Sequence, residues 1–328
     1  MNKYSERTIR WGIMGPGKIA HKFARDLKEV SYTELYAVAS RHHGRAEAFA
    51  SAYDAPKAFG NYEALAADPN VDAVYIATPH AFHAYYSMMC LSRGKAVLCE
   101  KPLAMNATQV EIMIAASKAH RVLLMEAMWT AFLPHFQAAM QKIREGVVGE
   151  IISIEADFGF CSPYKPESRL FNKQLGGGSL LDIGVYTLFL SLSLLGKPVD
   201  VEANATFFET GADSSCHITL HYDHNMKAHL FSTLLKDTPT VAVVKGSKGT
   251  LTIHRLFHES SSFSIEKDGK TELFTFTNRG QGFVHEIEHF CTLLRMGETE
   301  SPVMTFDTSR SLIGMLDQVR DKIGLFYE

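Results

Sequence analysis

The 328-residue chain has no long hydrophobic run, no excess of one charge and no cysteine pattern. Its most apolar stretch, Val185 to Leu195, is too short to span a bilayer and follows Asp182 closely, so no membrane span is expected. Lys and Arg number 33 against 36 Asp and Glu, which leaves neither a basic footprint for nucleic acid nor an acidic tail. Five cysteines (Cys90, Cys99, Cys161, Cys216, Cys291) show no CxxC spacing and read as reduced, mostly buried thiols. The opening MNKYSERTIRW is polar and lacks the apolar core of a signal peptide, and a cytoplasmic location is expected. There is no internal repeat and no low-complexity segment. With 46% hydrophobic and 21% charged residues, a disordered chain, a collagen and a coiled-coil rod are excluded. The length suits two domains of about 100–200 residues each.

What is present divides near residue 126. Up to there, short β-rich runs alternate with helical patterns: strands at 8–14, 35–39, 71–77, 96–99 and 122–125, with helices at 18–29, up to 53, 81–93 and 108–119. Continuous apolar strands between helices signal a parallel sheet covered on both faces. After about Gly149 the runs at 151–158, 201–209, 217–222, 227–235, 241–245, 250–254, 263–267 and 272–276 are separated by turn signals, which reads as an antiparallel sheet joined by hairpins. One helix, 184–195, lies inside this half, and helices near 284–296 and 308–322 end the chain. The expected class is α/β, with domains over 1–126 and 127–328 and the C-terminal helices free to pack back on the first.

Gly15-Pro16-Gly17-Lys18-Ile19-Ala20 fits G-x-G-x-x-A directly after the first strand and at the start of the first helix. Gly15 permits the tight turn, Gly17 lets backbone approach a pyrophosphate, and the helix N-terminus offers free N–H groups. A bare glycine turn is the alternative. The second strand ends at Ser40-Arg41, where an NAD site carries an acid for the ribose hydroxyl. A guanidinium there suits a 2′-phosphate, which favours NADP and leaves NAD open; a solvated loop arginine is the bland reading.

Ala77-Thr78-Pro79-His80-Ala81-Phe82-His83 and Cys99-Glu100-Lys101-Pro102-Leu103-Ala104 close two further strands. With the glycine loop they resemble the Gfo/Idh/MocA oxidoreductases, whose signature is an EKP tripeptide at the end of a Rossmann strand. Glu126 to Thr130, Gly176 to Tyr186 and Met315 to Arg320 resemble the dimeric dihydrodiol dehydrogenase and NADP-dependent xylose dehydrogenase branch; Ala131 stands where that branch usually has arginine. The resemblance implies a Rossmann domain followed by an α+β domain with an open, mostly antiparallel sheet. It implies cofactor contacts from Gly15, Gly17, Lys18, Ile19, Ser40, Arg41, Thr78, Pro79, His83, Glu100, Lys101 and Trp129. Asp182 and Tyr186 are candidates for substrate contact, and Phe158, Arg169 and Trp129 are further candidates for the substrate pocket, each of which also reads as a structural residue. The implied substrate is a small sugar, alcohol or cyclic diol. Relatives carry a cis bond before the proline at Pro102 and are dimers or higher oligomers built across the second sheet. Apolar residues on both faces of the runs at 201–208 and 226–231 point to a homodimer as well.

Hydride transfer from a carbinol needs a group to take the hydroxyl proton, and Lys101, Tyr186 and Asp182 are the candidates. A free tyrosine, with a pKa of about 10, is a poor base, and a nearby ammonium lowers it. Four-residue spacing on a helix puts Asp182 and Tyr186 on one face, with Asp182 orienting Lys101 or the substrate hydroxyl. A structural ion pair for Lys101 and a core aromatic for Tyr186 are the alternatives. Gly176-Gly177-Gly178 reads either as a close-approach site for a ligand or as a flexible loop. Other functions stay open: a non-enzymatic NADP-binding regulator, a glycosidase or epimerase with retained nicotinamide, and a zinc hydrolase through His285-Glu286-x-x-His289. For the last, the bland reading is a polar helix start, and no metal is expected.

Overall fold

A computed structural model describes residues 7–327, so the polar stretch over residues 1–6 lies outside the described residues. The chain divides into two compact units, Met1–Trp129 with Arg279–Arg310, and Thr130–Asn278 with Ser311–Glu328. This division differs from a single cut after residue 126.

The first unit runs β1 (Ile9–Met14), α1 (Lys18–Leu27), β2 (Thr33–Ala39), α2 (His43–Tyr53), β3 (Lys57–Phe59), α3 (Tyr62–Ala67), β4 (Ala73–Ile76), α4 (His83–Leu91), β5 (Ala96–Glu100), α5 (Ala107–His120) and β6 (Leu124–Ala127). The six strands pair in parallel in the order β3-β2-β1-β4-β5-β6. Every residue of β4, β5 and β6 is buried, as a sheet covered on both faces requires. Chain order reverses between β1 and β4, which is where such sheets open a crevice at their carboxyl ends. The elements β3 and α3 are too short for a readable period; Asn61 starts α3 by accepting the Ala64 N–H at 2.8 Å.

The second unit continues with α6 (Pro134–Arg144), β7 (Ile151–Gly159), α7 (Val185–Leu195), β8 (Asp200–Phe207), β9 (Asp213–His221), β10 (Lys227–Thr233), β11 (Ala242–Gly246), β12 (Thr250–Ile253), β13 (Ser262–Lys267) and β14 (Lys270–Thr275). Its eight strands lie in the order β14-β13-β12-β11-β7-β10-β9-β8. Neighbours are antiparallel except β7 and β10, which run parallel, because the chain between them crosses over through α7, β8 and β9 instead of turning a hairpin. The three turn signals hold: Asp268 and Gly269, both at positive φ, close the β13–β14 hairpin, for example.

One face of this sheet is the core, with Ile154, Ala156, Phe158, Ile218, Leu220, Leu230, Val244 and Phe263 buried. The helix α7, apolar all round and buried over 185–191, packs on β7 and β10. With the turns before it, the stretch Lys173–Leu195 is long and apolar enough to cross a membrane, but it is mostly buried, as core helices are. Among the described residues the second face is mixed rather than apolar, with Val243, Leu273 and Phe231 set among polar side chains. The alternate positions are Ser153 and Glu155, His217, Thr219 and His221, and Lys227, His229 and Phe231, with Lys245–Glu155 paired at 2.6 Å. Phe231 is stacked on His217 rather than joined to an apolar patch.

Two helices end the chain, α8 (Val284–Met296) and α9 (Phe306–Ile323). The former completes the first unit: Phe290 meets Trp11 at 5.0 Å, and Phe283 stacks on Trp129 at 4.7 Å. The Asp26 carboxylate at the end of α1 accepts the N–H groups of Gln281 and Phe283 at 2.7–2.8 Å. These bonds replace the water that burial removes, although burial still raises the acid's pKa.

Candidate active site

In the first unit the glycine loop lies between β1 and α1. Gly15 sits at φ +90°, and a Cβ there would lie 2.7 Å from the Ala77 carbonyl oxygen, so only glycine fits. Gly17 faces open space and caps α1 with no side-chain bond, while Ala20 is fully buried. An uncapped helix start beside an open glycine is what a pyrophosphate needs, and a dinucleotide fits this cradle. Lys18 is exposed and Ile19 half-buried beside it.

At the end of β2, Ser40 is buried and accepts the His42 N–H, while Arg41 is exposed with its guanidinium 5.8 Å from the Phe82 ring centre. No acid occupies that turn. At the end of β4, Thr78 is buried before Pro79. His83 is fully buried, with Nδ1 2.9 Å from the Pro102 carbonyl and Nε2 2.9 Å from the Thr78 carbonyl. Its ring therefore clamps the Thr78 and Pro102 strand ends together, beside the position expected for a cofactor contact.

The end of β5 carries Glu100, whose carboxylate accepts the Tyr75 hydroxyl and the Lys101 N–H. Lys101 is buried, and its bond to Pro102 is cis. Glu126 secures the turn that follows, accepting the Leu103 N–H at 2.9 Å and the Ser309 hydroxyl at 2.6 Å; burial pushes its pKa up to about 7. Trp129 is buried between Phe283 and Lys22, whose ammonium lies 5.6 Å from its ring.

In the second unit, the chain before α7 forms a single π-helical turn over Leu180–Gly184, and Asp182 sits in it. The expected regular α-helical relation of Asp182 to Tyr186 is thus replaced by a wider turn, a feature frequent at functional sites. Asp182 is buried and accepts from Arg169 Nη1 at 2.7 Å, while the Arg169 side chain is 54% exposed. Tyr186 is buried, with Phe158 5.7 Å away and His258 5.0 Å away between ring centres. Ala131 is buried, its carbonyl taken by Gln137.

The triglycine is neither a flexible loop nor an open approach. A Cβ on Gly177 would lie 2.8 Å from the carbonyls of Arg169 and Asn172, and one on Gly178 would fall 2.0 Å from Asp213 Oδ1. Asp213 is fully buried and accepts both the Ser179 hydroxyl and the Leu180 N–H at 2.7 Å, which fixes the start of the π turn. Tyr327 donates to the Gly177 carbonyl at 3.0 Å. Nothing in the sequence marks Asp213, Tyr327 or His258 as part of the site. Each lies far along the chain from its partners and carries no local motif.

The HExxH segment is the start of α8. Glu286 is fully buried with neither oxygen hydrogen-bonded, which corrects the polar helix start; burial, with Glu100 and Asp26 adding, raises its pKa well above the ordinary range. His289 Nε2 lies 2.8 Å from the Ser301 hydroxyl. Among the described residues, no group of three or more His, Cys, Asp or Glu side chains could hold a metal.

Two family models match: an oxidoreductase family with an NAD-binding Rossmann fold over residues 9–128, and the GFO/IDH/MocA C-terminal domain over 136–252. A trans-1,2-dihydrobenzene-1,2-diol dehydrogenase of Xenopus laevis is 36% identical over 329 residues, covering 97% of this chain and 99% of its own. A 3-ketoreductase from Actinomadura kijaniata, solved with NADP and TDP-benzene, is 29% identical with a TM-score of 0.87, over 97% of this chain and 98% of its own. An aldose-aldose oxidoreductase from Caulobacter crescentus shares the fold at 24% identity and a TM-score of 0.87, over 96% and 97% of the two chains.

Proposed function

Because the chain belongs to the Gfo/Idh/MocA family of NAD-binding oxidoreductases, we propose that it is an NADP-dependent dehydrogenase or reductase acting on a CH–OH carbon of a sugar or cyclic diol. The observation that carries the substrate side is the buried Tyr186 on α7, about one turn of chain beyond Asp182, which pairs with Arg169. The cofactor side rests on Arg41, an exposed cation at the end of β2 where a carboxylate would repel a 2′-phosphate. The names of the relatives, a diol dehydrogenase and a ketoreductase bound to NADP, support both halves.

The dinucleotide, when bound, supplies or accepts the hydride. The protein's own residues do the rest. Gly15, Gly17 and the start of α1 would hold the pyrophosphate, and Arg41 would supply the positive charge for a 2′-phosphate. Lys101, whose backbone is fixed through Glu100, supplies positive charge that favours an ionised oxygen on a bound substrate. Tyr186 exchanges the hydroxyl proton. Asp182 aims Arg169 at the remaining hydroxyls, a paired arrangement that suits a polyol.

A screen of pyranoses and cyclic diols followed by NADPH absorbance tests this directly. Turnover should appear with NADP and fall sharply in Tyr186→Phe, which keeps the ring and removes the proton. Arg41→Asp should weaken NADP far more than NAD. Equal use of the two cofactors by the unmodified enzyme sinks the Arg41 assignment, and full turnover in Tyr186→Phe sinks the tyrosine.

A further inference from the structure

The loop between β12 and β13 carries a histidine that the proposed chemistry has not used. His258 is buried, its ring stacked on Phe158 at 4.2 Å between centres and 5.0 Å from the ring of Tyr186. The loop is held from several directions. Thr130 Oγ donates to the His258 carbonyl at 2.7 Å, His135 Nε2 lies 3.0 Å from the Phe257 carbonyl, and the Phe257 N–H donates to the Thr240 carbonyl at 3.0 Å. Leu256 is held at a positive φ in the same loop. Among the described ionisable groups, Tyr186 on α7 lies beside the ring and Glu259 on the same loop has Oε1 4.0 Å from His258 Nε2, while His135 on α6 meets the backbone one residue earlier, at Phe257. A buried imidazole fixed between a tyrosine and a half-exposed carboxylate is a path along which a proton can enter.

We propose that His258 is the positioning residue of Tyr186, stacking with Phe158 to hold the phenol in place and returning to it the proton lost at each reduction. This rests on the reading of Tyr186 as the proton-exchanging group. In the reducing direction the Tyr186 O–H bond breaks and its proton joins the new alkoxide oxygen. A ring N–H of the His258 imidazolium then breaks, its proton restores the phenol, and the neutral ring takes a proton from solvent past Glu259. The ordinary gap between phenol and imidazolium, about 3.5 pKa units, makes that return downhill. The same gap makes the reverse transfer uphill, so reduction should depend on the ring's charge more steeply than oxidation.

Three measurements decide it. His258→Phe keeps a ring on Phe158 and removes both nitrogens, and His258→Gln keeps a polar group should the first variant misfold. Reduction in either should fall by about 100-fold with the KM for NADPH unchanged. The limb of the pH profile that falls as pH rises should vanish, and added imidazole should restore much of the rate in His258→Ala. In the protein alone, the His258 ring signals in a nitrogen-15 NMR titration should move to a different midpoint in Tyr186→Phe. Full turnover with an intact pH limb in His258→Phe overturns the proposal, as does a loss of rate that keeps the limb and ignores imidazole. If Tyr186→Phe itself turns over normally, the tyrosine reading fails first, and that outcome is told apart by its independence of any change at His258.

Discussion

Glu126→Gln isolates the cost of one buried charge. The side chain is 3% exposed, accepts from Leu103 N–H and the Ser309 hydroxyl, and is pushed up to about 7 by burial from an ordinary 4.5. Its folded pKa is raised, so its contribution to stability is full below about pH 4.5 and is lost as pH climbs through about 7. Linkage puts the loss between pH 5 and pH 8.5 at about 2–3 kcal/mol. Glutamine keeps the shape, accepts from Leu103 through its carbonyl and donates to Ser309 through its amide, yet has nothing to ionise. The variant should therefore match the unmodified protein at pH 5 and exceed it by about 2–3 kcal/mol at pH 8.5. Both tryptophans, Trp11 and Trp129, lie buried in the first unit with Glu126, so urea unfolding followed by their fluorescence reports that unit. Two curves that stay parallel across this pH range refute the reasoning, since the other titrating groups are common to both proteins.

Gly178→Ala tests the fixed start of the π turn: with φ at +126° and Asp213 Oδ1 in the way, the methyl should cost roughly 2–4 kcal/mol in thermal unfolding, and an unchanged midpoint contradicts the geometry. Association is the other expectation, a homodimer through the second sheet. Its uncovered face is mostly Ser, Thr, His and Lys, so assembly there should weaken at high salt. A monomer mass by light scattering at micromolar concentration removes the idea.

The parallel sheet was legible because its strands are apolar without interruption and its first loop has glycines where backbone sterics demand them. The hairpins of the second sheet were legible from turn residues such as Asp268-Gly269. What stayed hidden has a physical reason in each case. The elements β3 and α3 are shorter than one period of any pattern, and α6 follows a Pro134 that reads as a breaker but sits at the first helical position. The parallel pairing of β7 with β10 is decided by a crossover, and nothing in either strand encodes it. Of the candidate site, the sequence marks the residues that stand on motifs and leaves the side chains that support them unmarked. Glu126 was read only as part of a motif, while Asp213, Thr130 and His258 act through bonds to chain more than 30 residues away. The apolar alternation that suggested two greasy sheet faces misled because Phe231 packs on His217 instead of joining a patch.

The discontinuity of the first unit has a consequence for its biosynthesis. Asp26 finds its N–H partners 255 residues later, at Gln281, and Trp11 meets Phe290 later still. At ordinary elongation rates that gap lasts roughly 10–50 s, longer than a small domain needs to fold. During that interval the emerging sheet lacks the helix that covers Trp11, and a carboxylate destined for burial has only water. The nucleotide-binding half, though first made, is among the last parts to close. A ribosome that stops before residue 279 should leave behind a chain whose sheet exposes aromatic surface, a ready client for chaperones that hold nascent polypeptides.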